Sequence, residues 1–130
     1  LDVEIEVFDS AWTDEQIERI FASVGPQATT WVVDALLGTG AIGSLRPPMA
    51  KAVTVANLLP VFKLAVDLPT GLDCDSGEAA DPTFRADVTC TMGDEKIGFR
   101  SANAHLSTGK VVIVGIGVPV DLESLQRNDH

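Results

Sequence analysis

WVVDALLGTGAIGSL at residues 31–45 and KLAVDLPTGLDCDSG at residues 63–77 follow one pattern. Each opens as a short apolar run, delivers an aspartate, and breaks into glycine-containing loop. The aspartates are Asp34 and Asp67. Strands with almost no polar interruption are expected to be buried on both faces, the habit of parallel sheets. Open parallel sheets bind ligands just outside the carboxyl ends of their strands. Two strands that each bring a carboxylate and pliable backbone to that end define a candidate ligand site.

The flanking sequence extends the pattern. Leu1 to Phe8 alternates apolar and acidic residues, a period of two that predicts a strand with one wet face. Thr13 to Val24 predicts a helix, with Thr13 and Gln16 as a capping box and Asp14 and Glu15 at the positive end of its dipole. Ile17, Ile20, Phe21 and Val24 form its apolar stripe, and Gly25-Pro26 stops it. Thr30–Leu37 and Lys63–Asp67 are the two strands of the opening pattern. Between them a helix of about ten residues is expected from Pro47-Pro48, where proline's missing N–H costs nothing, to Pro60. A polar loop follows from Gly71 to Pro82. Ala86–Met92 and Lys110–Ile116 predict two more strands with a loop between them, and the tail from Leu122 predicts one helical turn at most. The alternation points to an α/β fold, a mainly parallel sheet with helices on its faces.

At 130 residues the chain is expected to form a single domain. Apolar residues make up 45% and charged residues 22%, an ordinary globular balance. A net charge of −10 without a Lys/Arg cluster argues against nucleic acid and anionic lipid as partners. No apolar run approaches the ~20 residues of a membrane helix. Val111 to Val120 is the longest and reads as a buried strand. The first residues lack the basic and apolar regions of a signal peptide, so the expected compartment is cytoplasmic. Cys74 and Cys90 have no metal-ligand spacing, and a disulfide between them is not expected. His105 and His130 stand alone, which argues against zinc.

Gly38-Thr39-Gly40-Ala41-Ile42-Gly43 matches G-x-G-x-x-G after a strand, with Asp67 downstream as a ribose-binding acid. The standard dinucleotide turn fits poorly, because its helix begins inside the glycine motif and Pro47-Pro48 would break it. The loop is therefore longer than that turn. Its backbone N–H groups can approach an anion, with the hydroxyls of Thr39 and Ser44 and the guanidinium of Arg46 beside them. A plain surface connection with a solvated Arg46 is the alternative. Asp34, followed by Ala35-Leu36-Leu37, is expected to be largely buried and to need a cation, a donor cluster or a proton. Asp34, Asp67 and the oxygens of Thr70 could form an oxygen-rich site for a hard cation, or the aspartates could cap local N–H groups. Asp73, Asp75, Ser76 and Glu78 read as a solvated acidic turn. Lys96 is a ligand contact or simply exposed.

VVDALLGTG, AVDLPTGLDCDSG, ADVTCTMGDEKIG and GKVVIVGIGVP occur in that order between about residues 30 and 120. Together they resemble the YjeF N-terminal domain family, the NAD(P)H-hydrate epimerases. The resemblance implies a three-layer α/β/α Rossmann-like sandwich. It implies an isomerase that interconverts the R and S forms of hydrated NADH and NADPH, so that an NAD(P)H-hydrate dehydratase can restore the cofactor. Asp34 matches a potassium-ligating aspartate. Gly38, Thr39, Gly40, Ala41, Ile42, Gly43 and Ser44 match the substrate-binding loop. Asp67 matches the substrate-contacting, catalytic aspartate. Thr70 stands where the family usually has a serine, also a potassium ligand, and keeps its hydroxyl. A homodimer is implied as well. The family's earlier G-x-G-N-N-G-G-D-G segment has no counterpart here, so the chain is expected to begin partway through the domain and to turn over little substrate alone. The alternatives are a non-catalytic YjeF-like module for nucleotide binding or dimerisation, as in RNA-decay scaffold proteins, and an NAD(P)-dependent oxidoreductase.

Overall fold

The computed structural model describes residues 11–23 and 31–117, together with Val3, Ile5 and Val7. The strand expected over Leu1–Phe8 lies outside the described residues except at those three positions, which are exposed. The tail from Leu122 lies outside them entirely.

Helix α1 spans Asp14–Ser23. Its capping box forms as the sequence predicts: Thr13 N–H donates to Gln16 Oε1 at 2.8 Å, and Gln16 N–H donates to Thr13 Oγ1 at 3.3 Å. Ile17 is fully buried from this helix. Helix α2, Met49–Leu58, starts directly after the two prolines and ends before Pro60. Lys51 of α2 joins it to α1 through Glu18 at 2.6 Å. No helix among the described residues is long and apolar enough to cross a membrane.

Strands β1 (Trp31–Asp34), β2 (Phe62–Val66), β3 (Val88–Met92) and β4 (Lys110–Val114) form one parallel sheet in the order β1-β2-β3-β4. This is the expected α/β, Rossmann-like character. The order never reverses among these strands. Right-handed crossovers that step always in one direction must all land on one face of the sheet.

Register and alternation separate the two faces. Val32, Asp34, Ala65, Thr89, Thr91 and Val111 share the covered face. Val53 and Ala56 of α2 pack there with Ala65, Phe84 and Ala86, and Phe21 of α1 joins them. A second cluster, Leu68, Leu72, Phe99 and Ala104, packs with Val111. Truncating Phe84, which is 2% exposed, would cost about 3–5 kcal/mol.

The opposite face corrects the expectation of double burial for Thr30–Leu37, Lys63–Asp67 and the run from Val111. Trp31 is 56% exposed, Val33 54% and Val114 42%, and Phe62, Met92 and Val112 are exposed beside them. Continuous hydrophobicity does identify strands of a parallel sheet here. The rings of Trp31 and Phe62 pack on one another there, 4.8 Å between centroids, while α1 and α2 pack on the other face.

The stretch expected as loop between β3 and β4 contains a 3-10 turn, Ile97–Arg100, and a short helix α3, His105–Thr108. Neither has an amphipathic period to announce it. Each is fixed by few anchors, chiefly Phe99 and Ala104.

Candidate functional site

Asp67 leaves the sheet just after β2. Its N–H still joins the ladder, donating to the Cys90 carbonyl at 2.8 Å. Its φ is then +70°, the one positive value among the described residues other than glycine. Aspartate tolerates this left-handed region better than most side chains, and non-glycine residues held there cluster at functional sites. The turn aims the carboxylate at the next strand. Oδ1 accepts the Met92 N–H at 3.2 Å and the Lys96 ammonium at 2.8 Å. Both side chains are mostly shielded, Lys96 18% and Asp67 20% exposed. Burial pushes the carboxyl pKa upward, but the Lys96 hydrogen bond and charge, the Met92 N–H and the Thr91 hydroxyl together outweigh it. Asp67 is thus held below the usual carboxylate range.

Asp34 ends β1 and is 3% exposed, as its sequence context predicts. Thr70 supplies two of its three donors. The Thr70 N–H reaches Oδ2 at 2.7 Å, and the Thr70 hydroxyl reaches Oδ1 at 2.7 Å. Leu36 N–H adds 3.2 Å to Oδ1. The Thr70 hydroxyl in turn accepts the Leu37 N–H at 3.2 Å. The loops after β1 and β2 are therefore sewn together. A carboxylate offers about four acceptor positions, and three are used. The three donors are neutral N–H and O–H groups, and the oxygens of Asp34 and Thr70 are those that could hold a cation here.

Gly38 to Ser44 forms an exposed loop after β1. Gly40 and Gly43 have positive φ, and a Cβ on either would meet nothing within 4 Å, so their role is backbone conformation in open space. Gly38 differs: a Cβ there would lie 4.0 Å from Asp67 Oδ2, its nearest neighbour. A cleft of about 650 Å³ opens beside this loop, lined by Asp34, Ala41–Arg46, Phe21 and Phe84 among others. Asp67 is absent from its walls and meets the same loop at Gly38. Of the residues expected from the sequence, Asp34 meets Thr70 and Asp67 meets Gly38, as two separate contacts, and Asp34, Ala41, Ile42, Gly43 and Ser44 line the cleft while Asp67 does not. Thr39 and Gly40 are exposed and line neither cleft nor carboxylate.

Lys96 is the residue the sequence left undecided. Only the parallel pairing of β2 with β3 puts the loop after Met92 beside Asp67. Arg46 lines the cleft and is exposed. Cys74 and Cys90 are free thiols. The acidic turn folds on itself, with Asp73 Oδ1 accepting the N–H groups of Asp75 and Ser76. Those bonds hold Asp73 below the usual range.

A parallel α/β domain with two carboxylates and a glycine loop at the carboxyl ends of adjacent strands is the ligand-binding class of open α/β sheets. The chain belongs to the family described as YjeF-related protein N-terminus, whose model matches residues 4–98. It is similar to the NAD(P)H-hydrate epimerase of Rhodopirellula baltica, with 46% identity over 95 residues, 73% of this chain and 39% of that protein. The NAD(P)H-hydrate epimerase of Pirellula staleyi is 51% identical over 89 residues, 68% of this chain and 39% of its own length. The bifunctional NAD(P)H-hydrate repair enzyme Nnr of Pyrobaculum aerophilum is 44% identical over 92 residues, 71% of this chain and 18% of that enzyme. The chain thus spans about two fifths of the epimerases and a smaller part of the bifunctional enzyme.

Proposed function

We propose that the protein interconverts the R and S forms of hydrated NADH and NADPH. The observation that carries this reading is Asp67: an ionised, sheltered carboxylate held in a left-handed turn against the glycine loop. Inversion at a carbon bearing a hydroxyl is redox-neutral. The carboxylate takes the hydroxyl proton as the ring carbon–nitrogen bond opens to an aldehyde, and the proton returns to oxygen when the nitrogen re-closes on the other face of the carbonyl. A single carboxylate that is a base at rest suffices to carry that proton. The names of the similar proteins, epimerases and bifunctional repair enzymes, support the same substrate.

The glycine loop, from Gly38 to Ser44, binds the substrate in this reading through backbone N–H groups, and Arg46 faces the cleft where a phosphate would lie. The seat at Asp34 and Thr70 would hold a potassium ion. When bound, the ion supplies positive charge that orders the two loops and favours an anionic substrate. A homodimer and an NAD(P)H-hydrate dehydratase partner complete the proposal, with the cytoplasm as the compartment. The bifunctional enzymes support the dehydratase partner, and the uncovered apolar sheet face is compatible with self-association.

The test is consumption of the R epimer by the full natural chain, coupled to a dehydratase that accepts only S. Conversion is expected, and Asp67→Asn should reduce it by at least about 100-fold. Full activity in Asp67→Asn would remove Asp67 as the base. Hydride transfer with NAD(P) in place of epimerisation would favour an oxidoreductase.

A further inference from the structure

Resting on the epimerase reading, we propose that Lys96 is a positioning residue that reserves Oδ1 of Asp67 for a structural contact and leaves Oδ2 as the proton-carrying oxygen. The two oxygens have different surroundings. Oδ1 takes the Lys96 ammonium at 2.8 Å and the Met92 N–H at 3.2 Å. Oδ2 is the one turned to Gly38. Lys96 also donates to the Met92 carbonyl at 3.1 Å, so the ammonium is fixed at two points of the same residue pair. A charge anchored twice restrains the carboxylate plane, and with it the direction of Oδ2.

The backbone under Lys96 is braced. Its carbonyl accepts the Phe99 N–H at 3.0 Å, and Gly98 N–H donates to the Cys74 carbonyl at 2.8 Å. Gly98 and Gly77 approach so closely that a Cβ on either would strike the other's backbone. The acidic turn, otherwise without a part in the site, thus serves as the platform for the Lys96 segment.

The charges around Asp67 are few. Lys96 is the cation in contact with it, and Asp94 and Glu95 precede Lys96 on the same loop. Residues 35–40 after β1 and 68–72 after β2 contain no charged side chain. Asp34 is engaged by Thr70. Removing Lys96 therefore leaves Asp67 with burial and neutral donors.

The experiment compares Lys96→Met and Lys96→Arg with the unmodified full natural chain. It measures the pH dependence of R-epimer turnover and the titration of the Asp67 carboxyl by carbon NMR. Lys96→Met should lower kcat by about 100-fold with KM little changed. It should also move both the acid limb of activity and the Asp67 titration upward. Lys96→Arg should recover most of the rate and return the limb toward its original position. An active chain whose acid limb and titration do not move in Lys96→Met overturns the proposal, as does a rise in KM alone, which would make Lys96 a substrate contact. An inactive unmodified chain whose Asp67 titration still moves in Lys96→Met overturns the epimerase reading, and the proton-carrying role of Oδ2 with it, but leaves the ion pair standing.

Discussion

Thr70 holds both oxygens of Asp34, one through its backbone N–H and one through its hydroxyl, each at 2.7 Å. A single residue on the loop after β2 therefore fixes the last side chain of β1. The hydroxyl also takes the Leu37 N–H, so removing it would orphan a donor and part of a buried carboxylate together. Thr70→Val is expected to lose about 1–3 kcal/mol of stability. Thr70→Ser keeps the hydroxyl and should lose less. Urea unfolding midpoints of the two variants measure the difference.

The backbone of Asp67 makes its own prediction. At a φ of +70° a bulky residue carries a steric penalty that asparagine largely escapes. Asp67→Asn fits the turn but gives up the Lys96 ion pair, so it should lose turnover and, of the stability, only what that pair contributes. Asp67→Leu should lose turnover and about 1–2 kcal/mol of stability besides. Paired thermal melts and activity assays separate the two effects.

Acid should weaken the fold through the same residue. The folded-state pKa of Asp67 lies below its unfolded value, so the unfolded chain binds its proton first as pH falls. The stabilisation is present above the ordinary aspartate pKa of about 3.9 and is lost as pH drops through the lower folded value. Stability measured from pH 6 downward should fall less steeply in Asp67→Asn than in the unmodified protein.

Gly98→Ala tests the platform under Lys96. The added Cβ would sit 2.6 Å from the Gly77 nitrogen and 2.7 Å from the Asp73 carbonyl oxygen, both backbone atoms. We expect a loss of about 1–3 kcal/mol from overpacking, together with reduced turnover as the Lys96 segment shifts. Turnover that is fully retained alongside lowered stability would uncouple the platform from the site.

Association is expected for the full natural chain, which should sediment as a dimer. A stable monomer at high concentration would remove the homodimer from the proposed function.

Much of this site was legible because it is local in sequence. Asp34, Asp67 and Thr70 stand at strand ends that apolar runs announce, and the glycine loop announces itself. The partnership of Asp67 with Lys96 was not legible. It depends on which strands are neighbours and on the turn at Asp67, and neither leaves a mark in spacing. The 3-10 turn at Ile97–Arg100 escaped for a similar reason, since its support is a backbone contact with the distant Gly77. Continuous apolar runs predict strands buried on both faces, whereas Trp31, Val33 and Val114 are exposed. The amino-acid pattern records that a strand belongs in a parallel sheet, but not which stretch of chain covers each side.

The unreversed strand order bears on how the site is assembled. Each described strand pairs with the one that follows it, so each pairing closes one parallel crossover, from Trp31 to Phe62, from Leu64 to Val88 and from Val88 to Lys110, non-local contacts whose closure entropy is paid before they form. Asp34 is delivered by the first strand, Asp67 by the second, and the partner Lys96 by the loop after the third. Register is what keeps these deliveries in line, because a slip of one residue turns every side chain of a strand to the other face. A slip of β1 against β2 would carry Asp34 away from Thr70 and strand a charge. The Asp34–Thr70 pair thus acts as a proofreading contact, rewarding one alignment of the sheet over its nearest competitors.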